Sequence, residues 1–388
     1  MIIRLIFYTL LFTTLISCQQ SQSDNIKQKA QASDLYFAVG TYTQKEGHVD
    51  GKASGIYIAR LNESQQSIEI VDSLTGITNP SYLTIDDKGQ RLYAVSEVGG
   101  EPAAGLIRVY AYDDAWKFKE LNEAKTGGNA PCHLALNTGK EYLMTANYMG
   151  GISSHKIETD GRIGSMTDIK FHEGYGADYP RQAISHPHMI YQTVTKNQVI
   201  VCDLGSNQLF HYELRDGHYH LLTSTQASER AGPRHLIHHP SERYIYTLNE
   251  LSNTVEAFTY QDLTQPMQRI QSVSTLSTSE GSTGMSASAI KIHPNGTYLY
   301  TANRGADQNS ISVFKINHLD GTIEMIQQID SGGAIPRDFE ITPSAHYLLV
   351  ANQNSDNITL LAIDQNSGTL SNIDKSFDVA TPVCIKFF

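Results

Sequence analysis

The sequence has one tryptophan, four cysteines and only 18% charged residues in 388. Cations are the scarcer sign: 29 Lys and Arg stand against 40 Asp and Glu, a formal charge of −11. That balance argues against nucleic acid as a partner. Cys132, Cys202 and Cys384 match no zinc spacing and no disulfide framework, and read as small buried hydrophobes in strands. There is no HExxH, no metal-type Cys/His cluster and no calcium loop, so neither a metal nor another cofactor is expected. A GxSxG elbow and a glycine-rich phosphate loop are also missing. Ser286, in GMSAS, lies outside any elbow context, which argues against a covalent serine hydrolase. Helical periodicity is weak throughout. What is plentiful is Tyr (21) and Gly (29), a composition that suits strands and turns.

The N-terminus reads as a leader. Arg4 precedes the apolar run Leu5–Ile16, which is too short to span a bilayer as a helix. Leu15-Ile16-Ser17-Cys18 then resembles a bacterial lipobox, which would make residues 1–17 a lipoprotein signal peptide and Cys18 the lipidated first residue. Residues 18–34 are polar and read as a flexible tether. The expected location is the bacterial cell envelope, with membrane contact only through the lipid on Cys18.

From Leu35 onward the chain repeats itself. Starts of the form Pro-x-x-apolar recur about every 50 residues: Pro80, Pro131, Pro187, Pro233, Pro336 and Pro382, with Ala287 standing in once. Each is followed by a second strand (RLYAVSE, EYLMTANY, QVIVCDL, RYIYTLNE, TYLYTANR, HYLLVANQ) and then a third. The seventh start lies too near the C-terminus to have outer strands of its own. LYFAVGTY and GIYIARL, near residue 35, would supply them. Residues 35–388 are therefore expected to form an all-β, seven-bladed propeller whose last blade is closed by N- and C-terminal strands. A pair of β-sandwiches would not explain the terminal half-units.

The repeat also predicts the site. Strand starts and second-strand ends share one rim, which gathers His188, Arg234, Arg337, Arg304, Glu97 and Glu250 at one mouth of the tunnel. Pairing His239 with Tyr244 around the turn sets Arg234 opposite Asn249, with Glu250 next in line. Asn147, Asn249, Asn303 and Asn352 recur at one position and read chiefly as backbone-bonding residues, with Asn147 and Asn303 also weighed as ligand contacts. His133, His235, His238, His239 and His293 have structural explanations.

Several of these segments resemble one family. GTYT at Gly40–Thr43, NPSYL at Asn79–Leu83, YPRQAISHPH at Tyr179–His188, GPRHLIHHP, LNELSNTV and TANRG are similar to the lactonase family of seven-bladed propellers. That family includes propeller-type 6-phosphogluconolactonase and 3-carboxy-cis,cis-muconate lactonizing enzyme. The resemblance implies a catalytic set of His188, Arg234, Glu250 and Arg304; the repeat positions add Glu97, Asn147, Asn303 and Arg337 as expected substrate contacts. His186 is a possible substitute for His188. The implied activity is hydrolysis of a small anionic lactone. Glu250 or His188 would activate water, and Arg234 and Arg304 would bind the anion and the oxyanion. A muconate-type lactonizing activity and an anchored propeller that binds an anion without turnover are the alternatives. The leader is at odds with a sugar-phosphate substrate, which is not expected outside the inner membrane.

Replacing Cys18 by Ser is expected to move the protein from the membrane to the soluble fraction. Unchanged membrane association in that variant would contradict the lipobox reading.

Overall fold

The computed structural model describes residues 34–388, apart from 48, 101–104, 194–196, 279–283 and 307. The leader, Cys18 and the tether lie outside the described residues. Seven four-stranded antiparallel sheets follow one another around a central tunnel. The first six run in chain order, from Leu83–Lys125 to Pro336–Asp378. The seventh pairs Pro382–Phe387 with Leu35–Thr41, followed by Gly55–Asn62 and Ser67–Thr75. Phe37 faces Phe387, and Val39 faces Ile385. Both chain ends thus close the ring, as the half-units predict.

Burial grades from tunnel to rim, and residue choice follows it. Second strands such as Tyr244–Asn249 are buried along their whole length, so they read as near-continuous apolar runs. Outer strands such as Leu370–Asp378 mostly alternate exposed with partly covered residues. Between neighbouring blades, side chains interdigitate. Tyr300, Val313, Phe339 and Val350 form one such layer between the fifth and sixth blades.

The tyrosine count has a structural use. Tyr93, Tyr246 and Tyr300 each donate a hydroxyl to a glycine carbonyl in the outer turn of the next blade: Gly161, Gly321 and Gly368, at 3.0, 3.0 and 2.9 Å. Gly321 and Gly368 have φ of 76° and 68° and lie against the rings of Tyr244 and Tyr298, so a β-carbon fits neither backbone nor space. Each tie satisfies a buried hydroxyl while locking one blade to the next.

One strand start differs from the repeat. The first blade's inner strand begins at Leu83 rather than Pro80. Asn79 adopts φ of 45°, and its side-chain oxygen accepts from the amides of Thr43 and Gln44, so this backbone turns instead of pairing.

Deleting Pro382–Phe388 removes the seventh blade's inner strand and leaves Leu35–Thr41 with an open edge. The expected result is aggregation on size-exclusion chromatography and loss of the cooperative thermal transition. A monomeric, cooperatively melting truncation would contradict the closure.

Candidate active site

Six inner strands carry the same irregularity, and it builds the mouth. In the third blade Pro187 pairs with Asp203 and Met189 with Cys202, leaving His188 as an extra residue. Cys132, Arg234, Ser288 and Arg337 are skipped in the same way, and Val383 in the closing strand. Proline cannot donate to the ladder, and a β-bulge beside it re-aims one side chain out of the alternation. The bulge corrects the expected register: Asn249 faces Pro233, not Arg234. His188, Arg337 and Cys132 thereby line a cavity of about 800 Å³, together with Glu97, Glu250 and Arg304.

Glu250 is the centre of the cavity floor and is itself buried. Its Oε2 accepts from Arg234 Nε at 2.9 Å and from Arg304 Nη2 at 3.4 Å. Its Oε1 accepts from Arg181 Nη2 at 2.7 Å. His188 Nε2 lies 4.0 Å from Oε2. Burial would raise the Glu250 carboxyl, but Arg304, Arg234, His188 and Arg181 together hold it far below the ordinary glutamate range. Glu250 is therefore a carboxylate throughout the working range, and a weak base. Burial and the charges of Arg234 and Arg337 push His188 well below its ordinary value, against the pull of Glu250, so its imidazole is neutral at pH 7. Burial presses Arg304 down while Glu250 holds it up, and a guanidinium stays protonated here.

A second carboxylate faces the first from the other side of the ring. Glu97 Oε2 accepts from Tyr42 Oη at 2.8 Å and from Ser81 Oγ. Arg337 donates to Tyr42 Oη at 2.8 Å and lies 3.9 Å from Glu97 Oε1. Four guanidiniums against two carboxylates leave the mouth with two positive charges in excess.

The repeat and the family motifs thus bring His188, Arg234, Glu250, Arg304, Glu97 and Arg337 together. Two expected contacts are not among them. Asn303 bonds to Thr275 and Ser312, and Asn147 donates to the Gly151 carbonyl; both are fully buried inside their blades. Arg234 is also repositioned. It lies beneath Glu250 with 3% exposure and donates to the Ser288 carbonyl, so it holds the carboxylate from below.

Other residues were missed. Arg181 sits outside the repeat in residues 171–186, the longest connection between blades. Its signal was the YPRQ of the family motif. Tyr42, within GTYT, supplies the Glu97 contact. His186 lines the mouth but stacks flat on Tyr148, with ring centroids 4.3 Å apart, and its Nδ1 meets the Tyr148 carbonyl at 2.9 Å. Below the floor, His235 contacts the His188 ring at 5.5 Å and the His133 ring at 5.9 Å, packing roles of the kind expected of them. Cys132 is buried as expected, yet its Sγ lies 4.0 Å from His188 Nδ1; burial pushes the thiol up, so it stays protonated.

A family model described as Lactonase, 7-bladed beta-propeller matches residues 36–387. The chain belongs to this family. The 6-phosphogluconolactonase of Bacillus subtilis is 31% identical over 351 residues, covering 90% of this chain and 97% of that protein. The 6-phosphogluconolactonase of Formosa agariphila is 27% identical over 357 residues, covering 90% and 98%. The structure of a periplasmic gluconolactonase from Pseudomonas aeruginosa is 26% identical, with a TM-score of 0.84 over 92% of this chain and 99% of that one. This lactonase-family propeller therefore resembles such proteins along its whole blade region.

Glu250→Gln tests the ionic floor. It leaves Arg234 buried without its counter-charge, so stability at pH 7 is expected to fall by about 3–5 kcal/mol. A carboxyl held low in the folded state stabilises above its unfolded value and loses that contribution as pH falls. The acid side of the wild-type stability profile is thus expected to be steeper than that of Glu250→Gln. Denaturant melts of both proteins from pH 7 to pH 3 check both points.

Proposed function

We propose that this protein hydrolyses the lactone of a sugar acid or a related anionic compound. The observation that carries this reading is the placement of His188 Nε2 4.0 Å from Glu250 Oε2, on the floor of an open cavity rich in guanidiniums. Water needs an acceptor with a free, sufficiently basic lone pair for its proton. His188 offers one, whereas the lone pairs of Glu250 are occupied by three guanidiniums. This reading favours His188 as the base. Glu250, 4.0 Å away, stabilises the imidazolium that forms.

The steps balance as an ordinary ester hydrolysis. His188 takes a proton as the water oxygen bonds to the lactone carbonyl carbon. Arg304, the partly open guanidinium beside Glu250, meets the developing oxyanion. The ring C–O bond then breaks, and the imidazolium returns its proton to the departing alkoxide. The hydroxy-acid product ionises to a carboxylate. Arg234 acts as a positioning residue through Glu250. The similar proteins named 6-phosphogluconolactonase and gluconolactonase support a lactone as substrate. The lipobox-like leader supports a cell-envelope location in this reading.

Purified protein assayed on a panel of sugar lactones, beside binding of the matching hydroxy acids, tests the proposal. Ring opening is expected. His188→Asn is expected to lower kcat by about 10²–10⁴-fold with an unchanged melting profile. Because His188 is held below its ordinary value, wild-type kcat/KM is expected to stay level below pH 6.5 and fall only as the imidazole protonates. Binding without turnover across the panel would instead favour an anchored binding propeller.

A further inference from the structure

Arg181 differs from the other guanidiniums of the mouth in origin, exposure and freedom. It comes from the connection between the second and third blades, not from a strand start or end. Its side chain is 44% exposed, against 3% for Arg234 and 12% for Arg304 and Arg337. The backbone around it is fixed. Asp203 ties both ends of the connection, through His172 Nδ1 at 2.7 Å and through Ser185 Oγ and the His186 amide at 2.6 and 2.8 Å. Gln182, next in sequence, is buried and donates to the Leu204 carbonyl and to Asn207 at 2.9 and 3.1 Å. A rigid stalk thus carries a solvent-facing guanidinium across the cavity to Glu250 Oε1 and the Tyr148 hydroxyl.

We propose that Arg181 is the specificity residue of this mouth: it exchanges Glu250 Oε1 for an anionic substituent, carboxylate or phosphate, carried by the lactone away from its reacting carbonyl. The proposal rests on the lactonase reading. The exchange needs only side-chain rotation. Glu250 stays paired afterwards, because Arg234 and Arg304 both hold Oε2. A guanidinium fork suits carboxylate and phosphate alike.

The exchange also reaches the base. Arg234 faces Glu250 from its own blade, Arg304 from the next blade, His188 and Tyr148 from the preceding ones, Arg181 from the connection and Arg337 from across the tunnel. Moving Arg181 away leaves more of the carboxylate charge acting on His188. An anionic lactone therefore strengthens the proton acceptor that activates the attacking water, and an uncharged lactone does not.

The test compares wild type, Arg181→Gln and Arg181→Lys on three lactones: uncharged glucono-δ-lactone, carboxylated glucaro-lactone and 6-phosphoglucono-δ-lactone. Arg181→Gln is expected to lose roughly 10- to 100-fold more kcat/KM on a charged lactone than on the uncharged one. Arg181→Lys is expected to recover part of that difference. Whether the carboxylate or the phosphate shows the extra loss identifies the source of the anion. On the uncharged lactone, the acid limb of kcat/KM is expected to move to higher pH in Arg181→Gln. Equal losses on all three lactones, with the limb unmoved, would overturn the proposal and leave Arg181 a structural cap on Glu250. If wild type opens no lactone, the lactonase reading fails. Affinities of glucarate and 6-phosphogluconate for wild type and Arg181→Gln then decide the role of Arg181: weaker binding to the variant supports it, and equal binding overturns it.

Discussion

Arg234 lies almost without solvent contact at the start of an inner strand, and its charge is met by Glu250 at the end of the neighbouring strand. Desolvating a guanidinium is costly unless a carboxylate and hydrogen bonds replace the water. Here the Glu250 carboxylate and the Ser288 carbonyl do so. Once Glu250 is held below, its upper face is a fixed negative point in a low-dielectric floor. Arg304 and Arg181 converge on it from two other parts of the chain. His188 takes its neutral state from the same arrangement, because burial and the nearby cations disfavour the imidazolium. The mouth is therefore one electrostatic unit, and a change at any member is felt at His188.

The propeller is what allows that unit to form. Its residues come from blades far apart in sequence, and only ring closure brings their strand starts to one rim. In six of the seven blades a bulge at the strand start then turns one side chain toward the tunnel. Stability and site share a device: the closing pair of Pro382–Phe387 with Leu35–Thr41 also carries Tyr42, which anchors Glu97 and Arg337. The asymmetry of the mouth follows from which residue each bulge presents. Blades three and four offer His188 and Arg234, blade five the small Ser288, and blade six Arg337.

Much of this was legible in the chain, for physical reasons. A repeat of about 50 residues constrains strand order, closure and the rim that collects polar residues. Six ionisable groups were placed that way, and Cys132, Cys202 and Cys384 proved buried. What the pattern could not carry was geometry that depends on one residue too many. Alternation put Arg234 opposite Asn249; the bulge moved it beneath Glu250. Nor could a repeat reveal Arg181, since the connection that bears it occurs once. Asn303 differs again: a polar residue at a rim position, it turns inward, where its amide shares the Thr275 carbonyl with Ser312 and Gln328.

The central claim is that the guanidiniums around Glu250 form the receptor for an anionic lactone. It is tested most directly by a crystal structure of the protein with a charged hydroxy-acid product, such as glucarate or 6-phosphogluconate. The account predicts the newly formed carboxylate beside Arg304 and His188, with the second anionic group on Arg181 and Glu250 still bound to Arg234. A product bound elsewhere, or one seated in the mouth with no anionic oxygen on a guanidinium, would contradict it.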